Sequence, residues 1–197
     1  AKRLEARAYY RSETLPTGSV RAHQAFRHRY PKSDMRSSSR RKEAIIAVVW
    51  ALATKSIDEI ASFRHKYGGW EEAKGAIAKA RQAEVELAYA LAREKDTVDR
   101  YRRFLEAYAH WDEASTRLAP VREVLVARAE KEALSANTVG ALQAFRGDYG
   151  TWVEAREALL HVRKAEVELA RKLAIASRSV DQLRACLLYT SPSPRDA

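Results

Sequence analysis

The chain has 197 residues, of which 46% are hydrophobic and 31% charged, with only seven Gly and five Pro. This composition excludes a disordered or collagen-like polymer and favours helix over strand. A single cysteine, Cys186, excludes an internal disulfide framework, and no Cys/His set has zinc-site spacing. The net charge of +10 is uneven: residues 1–43 hold twelve Lys or Arg against four Asp or Glu, and the rest is nearly neutral. Any attraction to a polyanion therefore belongs to the N-terminal part.

Residues 1 to about 12 read as the end of a helix, closed before the turn-forming cluster Leu15, Pro16, Thr17 and Gly18. Ser19 is expected to cap a short helix carrying Val20, His23, Phe26 and Tyr30 on one face, and Pro31 ends it. Ser33 or Asp34 is expected to cap a second helix that turns Ala44, Ile45, Val48, Val49 and Leu52 inward. The apolar run over 44–53 is about half of the roughly 20 residues that span a bilayer, so it reads as a buried helix with no transmembrane segment.

The next unit opens at Ser56. Ile57, Ile60, Phe63 and Tyr67 form one helical stripe, Gly68 and Gly69 end it, and a long helix is expected from Trp70 to about Glu94. That helix is read with Ala73, Ile77, Ala80, Leu87 and Leu91 facing its partners and Glu71, Glu72, Lys74, Arg81 and Glu84 in solvent. Thr97 and then Thr138 cap two further copies. Pro120 is expected to kink the long helix of the first of these.

Phe63, Tyr67 and Trp70 return as Phe104, Tyr108 and Trp111, and again as Phe145, Tyr149 and Trp152; the tryptophans are 41 residues apart each time. A fixed period of this length signals stacked helical repeats. The expected fold is therefore all-α, an α-solenoid of tandem antiparallel helix hairpins. One repeat domain over 1–188 divides into a partial repeat (1–15), units at 19–54, 56–95, 97–136 and 138–177, and a partial unit at 179–188. The tail at 189–197 reads as disordered, or as an artefact, because it resembles the translation of a sequencing-library adapter. The recurring aromatics, with Phe26 and Tyr30 in the first unit, are expected to fill the wedge within each hairpin.

Phe26, Tyr30, Pro31 and Ser33 form a pattern that resembles the turn of tetratricopeptide-like (TPR-like) repeats in bacterial envelope proteins, among them outer-membrane assembly lipoproteins and periplasmic cell-division coordinators. The resemblance implies a superhelix whose concave face holds a peptide or partner protein, and an envelope location. The period of 41 is longer than the tetratricopeptide period of 34.

No catalytic set accompanies the repeats. The five histidines do not recur, and neighbouring carboxylates such as Glu71 with Glu72, Asp112 with Glu113, and Glu166 with Glu168 point away from one another on a helix and read as solvated. The sequence thus predicts a non-enzymatic scaffold without a cofactor or metal that binds a protein or peptide on its inner face. Lys74, Ser115 and Arg156, which differ between copies, and Arg81, Arg122 and Arg163, which keep their charge, are candidate contacts. A second reading is an anion-binding module for nucleic acid or an acidic membrane surface, through Arg27, Arg29, Lys32, Arg36, Arg40, Arg41 and Lys42. A third is an accessory repeat region of a larger enzyme.

Overall fold

A computed structural model describes residues 2–177 of the chain, and the readings for the partial unit at 179–188, Cys186 and the tail at 189–197 lie outside the described residues. The described residues are all-α. Among the described residues nine α-helices follow one another: α1 (Lys2–Tyr9), α2 (Val20–Arg29), α3 (Arg36–Ala53), α4 (Ile57–Tyr67), α5 (Lys74–Lys95), α6 (Val98–Tyr108), α7 (Ser115–Ala136), α8 (Val139–Tyr149) and α9 (Arg156–Ser177). A π-helical turn at Tyr10–Thr14 extends α1. The chain groups into two compact units, one from the described part of Ala1–Glu94 with His110–Ala114, the other from Lys95–Ala109 with the described part of Ser115–Ala197.

Short and long helices alternate, with the 41-residue period from α4 onward. Ser56, Thr97 and Thr138 cap α4, α6 and α8, each hydroxyl accepting from the backbone N–H three residues on, at Glu59, Arg100 and Ala141. Ser19 precedes α2 but makes no such bond. Neither Ser33 nor Asp34 caps α3, whose first flanking residue is Met35. Ser33 instead accepts from the Met35 N–H, and Asp34 is taken by Arg3 and Arg7. A carboxylate gains more from two guanidinium groups than from one orphan amide, so the ion pairs win.

The residue before each of these three caps adopts a left-handed conformation: Lys55 (φ 51°), Asp96 (φ 50°) and Asn137 (φ 47°). These positions repeat at the same period and let each long helix stop and the next short one begin. Asn and Asp tolerate this region, whereas Lys carries a steric penalty that Gly lacks. Lys55→Gly is expected to raise stability by about 0.5–1 kcal/mol, read from urea denaturation midpoints.

The short helices bury the predicted stripe: Ile60, Phe63 and Tyr67 on α4, Tyr101, Phe104 and Tyr108 on α6, and Leu142, Phe145 and Tyr149 on α8. Trp70, Trp111 and Trp152 do not start the long helices. Trp70 and Trp152 are extended, and at all three copies a 3-10 turn intervenes before the α-helix, at Glu71–Ala73, Asp112–Ala114 and Val153–Ala155. The alanine closing each turn, Ala73, Ala114 or Ala155, has no exposed surface. Its small methyl side chain lets the turn press against its neighbours. Pro120 lies within α7, which continues through it as one helix.

Two apolar readings on α3 are corrected. Ala44 and Val48 are buried, but Ile45 (47% exposed) and Val49 (62%) face outward, as does Trp50 (71%). Ten consecutive apolar residues give no period from which to choose a face, so packing chose it. Leu91, also expected inward, is 43% exposed, while Ala76, Val85 and Ala92 supply the buried face of α5.

Candidate functional site

The recurring residues build a joint between successive hairpins. In the first unit, α3 carries Glu43, a carboxylate buried to 1% exposure. Arg27 on α2 forms an ion pair with it, Gln24 Nε2 donates to Glu43 Oε1 at 3.0 Å, and the Tyr67 hydroxyl of the following hairpin donates to the same oxygen at 3.0 Å. Burial, then the Glu43 charge, hold the Tyr67 phenol well above its ordinary range. Trp70, beside Tyr67, is flanked by two guanidinium groups of the preceding hairpin, Arg27 at 4.9 Å and Arg40 at 5.2 Å from the ring centroid. Arg40 also lies 3.8 Å from Glu72.

The same parts recur. Arg64 pairs with buried Glu84 at 2.7 Å and stacks on Trp111 at 4.6 Å; Arg81 covers that ring at 5.4 Å and approaches Glu113 at 3.9 Å. In the second unit Arg146 pairs with buried Glu166 at 2.7 Å, and Arg122 stacks on Trp152 at 5.6 Å and lies 3.7 Å from Glu154. Glu84 and Glu166 are therefore not solvated, as the sequence reading had them. Arg81 and Arg122, read as candidate partner contacts, make these ring and carboxylate contacts while their side chains stay 46% and 41% exposed. The tryptophans pack on the arginines of the preceding hairpin as well as on their own, where Tyr67 meets Trp70 and Tyr149 meets Trp152 edge-on at 5.0 and 5.2 Å.

One copy departs from the plan at both ends of the pair. The residue after each phenylalanine is Arg27, Arg64, Leu105 and Arg146, and the matching long-helix residue is Glu43, Glu84, Leu125 and Glu166. Leu125 is fully buried. With no carboxylate there, the Tyr149 hydroxyl of the next hairpin is met by Arg102, which donates from Nε at 3.2 Å and Nη2 at 2.9 Å. Arg with Glu in three copies and Leu with Leu in the other thus stand at the same two positions, each combination avoiding the cost of a half-replaced pair. The signal was present in the sequence, in the residue that follows each phenylalanine and in the long-helix residue that changes together with it.

His23 is another departure. It occupies the α2 position equivalent to Ile60, Tyr101 and Leu142, and is buried to 1% exposure. Its Nδ1 lies 3.2 Å from Ser39 Oγ, and its ring packs 5.9 Å from Tyr10. Burial lowers its pKa; Glu43 on α3 opposes that, and Arg27 and Lys42 reinforce it. A histidine kept neutral by folding but free to protonate near pH 6.5 when unfolded makes stability full above that value and decreasing as pH falls toward the lowered native value. Unfolding followed between pH 7 and pH 5 should show this loss, and His23→Leu, which copies Leu142, should flatten its share of the slope.

The seven nominated cations do not form one patch. Arg27 and Arg40 belong to the joint, and Arg36 donates to the Pro31 carbonyl at 3.2 Å. Arg41 and Lys42 are exposed on α3. The Glu72 carboxylate, held below its usual range first by its own backbone N–H and further by Ser37, Arg40 and Arg41, offsets part of that charge. Arg29 and Lys32 line a different place, a cleft of about 660 Å³ with Lys2, Arg3, Tyr30 and Asp34. Lys74, Ser115 and Arg156 are exposed at the first position of α5, α7 and α9, Lys74 pairing with Glu71 at 2.7 Å.

Among the described residues, no group of three or more His, Cys, Asp or Glu side chains is arranged to hold a metal ion, and no helix is long and apolar enough to cross a membrane. The described residues define an all-α protein. No family model, curated protein or solved structure matches the chain.

Proposed function

We propose that the chain is a helical-repeat scaffold, an α-solenoid of TPR-like hairpins, that binds a protein or peptide partner. The recurrent polar residues are consumed in holding hairpin to hairpin, which leaves recognition to positions where the copies differ. The observation that carries the proposal is the outward face of α3. Ile45, Val49 and Trp50 are exposed there. The other copies place Glu86, Ala127 and Glu168 at the first of these positions, Ala90, Lys131 and Lys172 at the second, and Leu91, Glu132 and Leu173 at the third. An exposed Trp beside two aliphatic side chains, with Arg41 and Lys42 one turn earlier, has the composition of an interaction hot spot with a charged rim.

The test uses residues that the repeat itself supplies. The triple variant Ile45→Glu, Val49→Lys, Trp50→Glu copies Glu168, Lys172 and Glu132, so it should leave the helical signal and melting temperature nearly unchanged. Proximity crosslinking of the wild type should yield protein adducts at α3 that the variant loses by tenfold or more. Equal crosslinking by both proteins, or none by either, would sink the proposal.

A further inference from the structure

We propose that the basic cleft at the Tyr-Pro turn is a binding site for a small phosphorylated molecule, independent of the α3 face. The cleft lies where α1 meets the end of α2, and four cationic side chains line it: Lys2, Arg3, Arg29 and Lys32. Its volume of about 660 Å³ falls within the range of roughly 300–1,000 Å³ in which small-molecule sites occur. The single carboxylate in the wall, Asp34, is already shared: Arg3 donates to it from Nε at 3.2 Å and from Nη2 at 3.1 Å, and Arg7 donates from Nε at 2.9 Å. These donors hold its carboxyl below the usual range, Arg7 contributing most, so it stays a counter-ion to that pair. Glu5, nearby, accepts from the Tyr30 hydroxyl at 3.0 Å. Five cations, counting Arg7, thus face two carboxylates.

Arg29 is positioned for recognition. Its guanidinium lies 5.0 Å from the Tyr9 ring centroid and 5.5 Å from that of Tyr30, and the two rings pack 5.6 Å apart. Contact with the two rings restrains the guanidinium and leaves its charge in place, and a restrained planar fork loses less freedom when it binds two oxygens of one anion. Lys2 and Lys32 add point charges that suit a dianion better than a lone carboxylate. A phosphoryl group supplies both the charge and the several oxygen acceptors that this arrangement calls for.

The experiment titrates pyrophosphate into the whole chain by calorimetry at low salt. One saturable site per chain is expected. Lys2→Gln with Lys32→Gln should weaken it at least tenfold, while Arg41→Gln with Lys42→Gln changes it less than twofold. Both double variants alter exposed side chains, and circular dichroism checks that their folds are intact. A parallel arm uses single-stranded oligonucleotides of increasing length and vesicles of anionic phospholipid. Absence of saturable pyrophosphate binding overturns the proposal. So does an equal loss in both double variants, which would mark a diffuse basic surface. Oligonucleotide affinity that keeps rising with length, or vesicle binding insensitive to the Lys2 and Lys32 changes, also overturns it, in favour of a polymer or a membrane.

Discussion

Glu84→Leu is expected to destabilise the protein by about 3–5 kcal/mol, and adding Arg64→Leu to recover most of that loss. The single change leaves the Arg64 guanidinium, only 23% exposed, facing apolar atoms where its carboxylate stood. A buried charge without a partner loses its hydration and regains nothing. The double change reproduces the combination that the third hairpin already uses, Leu105 with Leu125. The exchange forfeits the stacking of Arg64 on Trp111, about 0.5–2 kcal/mol, so recovery should be substantial and incomplete. A double-mutant cycle in urea measures the coupling between the two sites. If the two single losses simply add in the double variant, the pair is not the unit described above.

Phe145→Ala is expected to cost about 3–5 kcal/mol, because it opens a cavity at a buried position beside Tyr149, whose ring lies 5.0 Å away. Phe63 and Phe104 hold equivalent places, 4.9 and 5.2 Å from Tyr67 and Tyr108. Under the proposed stacked-repeat arrangement the loss is felt first by the altered hairpin and its neighbours. Hydrogen exchange should therefore show α8 and α9 losing protection in Phe145→Ala, and α4 and α5 in Phe63→Ala. Uniform loss along the chain in both variants would argue for a single cooperative core.

Much of the architecture was legible because helices announce themselves through local rules. Ser56, Thr97 and Thr138 were readable as caps from residue type and position, and the Phe and Tyr stripe of each short helix from its spacing. The turn was read less well. Trp70 falls before the long helix because the chain makes a 3-10 turn there, and nothing in the helical period separates the two conformations. The basic opening unit was visible as a charge imbalance, but charge carries no direction. Arg27 and Arg40 turned inward against Trp70 while Arg29 and Lys32 reached a cleft with Lys2 and Arg3, residues that the linear cluster had left out.

The sequence by itself determined the helical class, the repeat length and the residues that every hairpin shares, since these depend on spacing along one chain. Tertiary structure alone decided which charges are buried and which apolar residues are not. Glu43, Glu84 and Glu166 look like surface glutamates until an arginine from another helix is placed beside each, and Trp50 looks like core until α3 is seen to bury its opposite face. Both outcomes depend on which residues far apart in the chain come into contact, and a helical period specifies a face without specifying what will cover it.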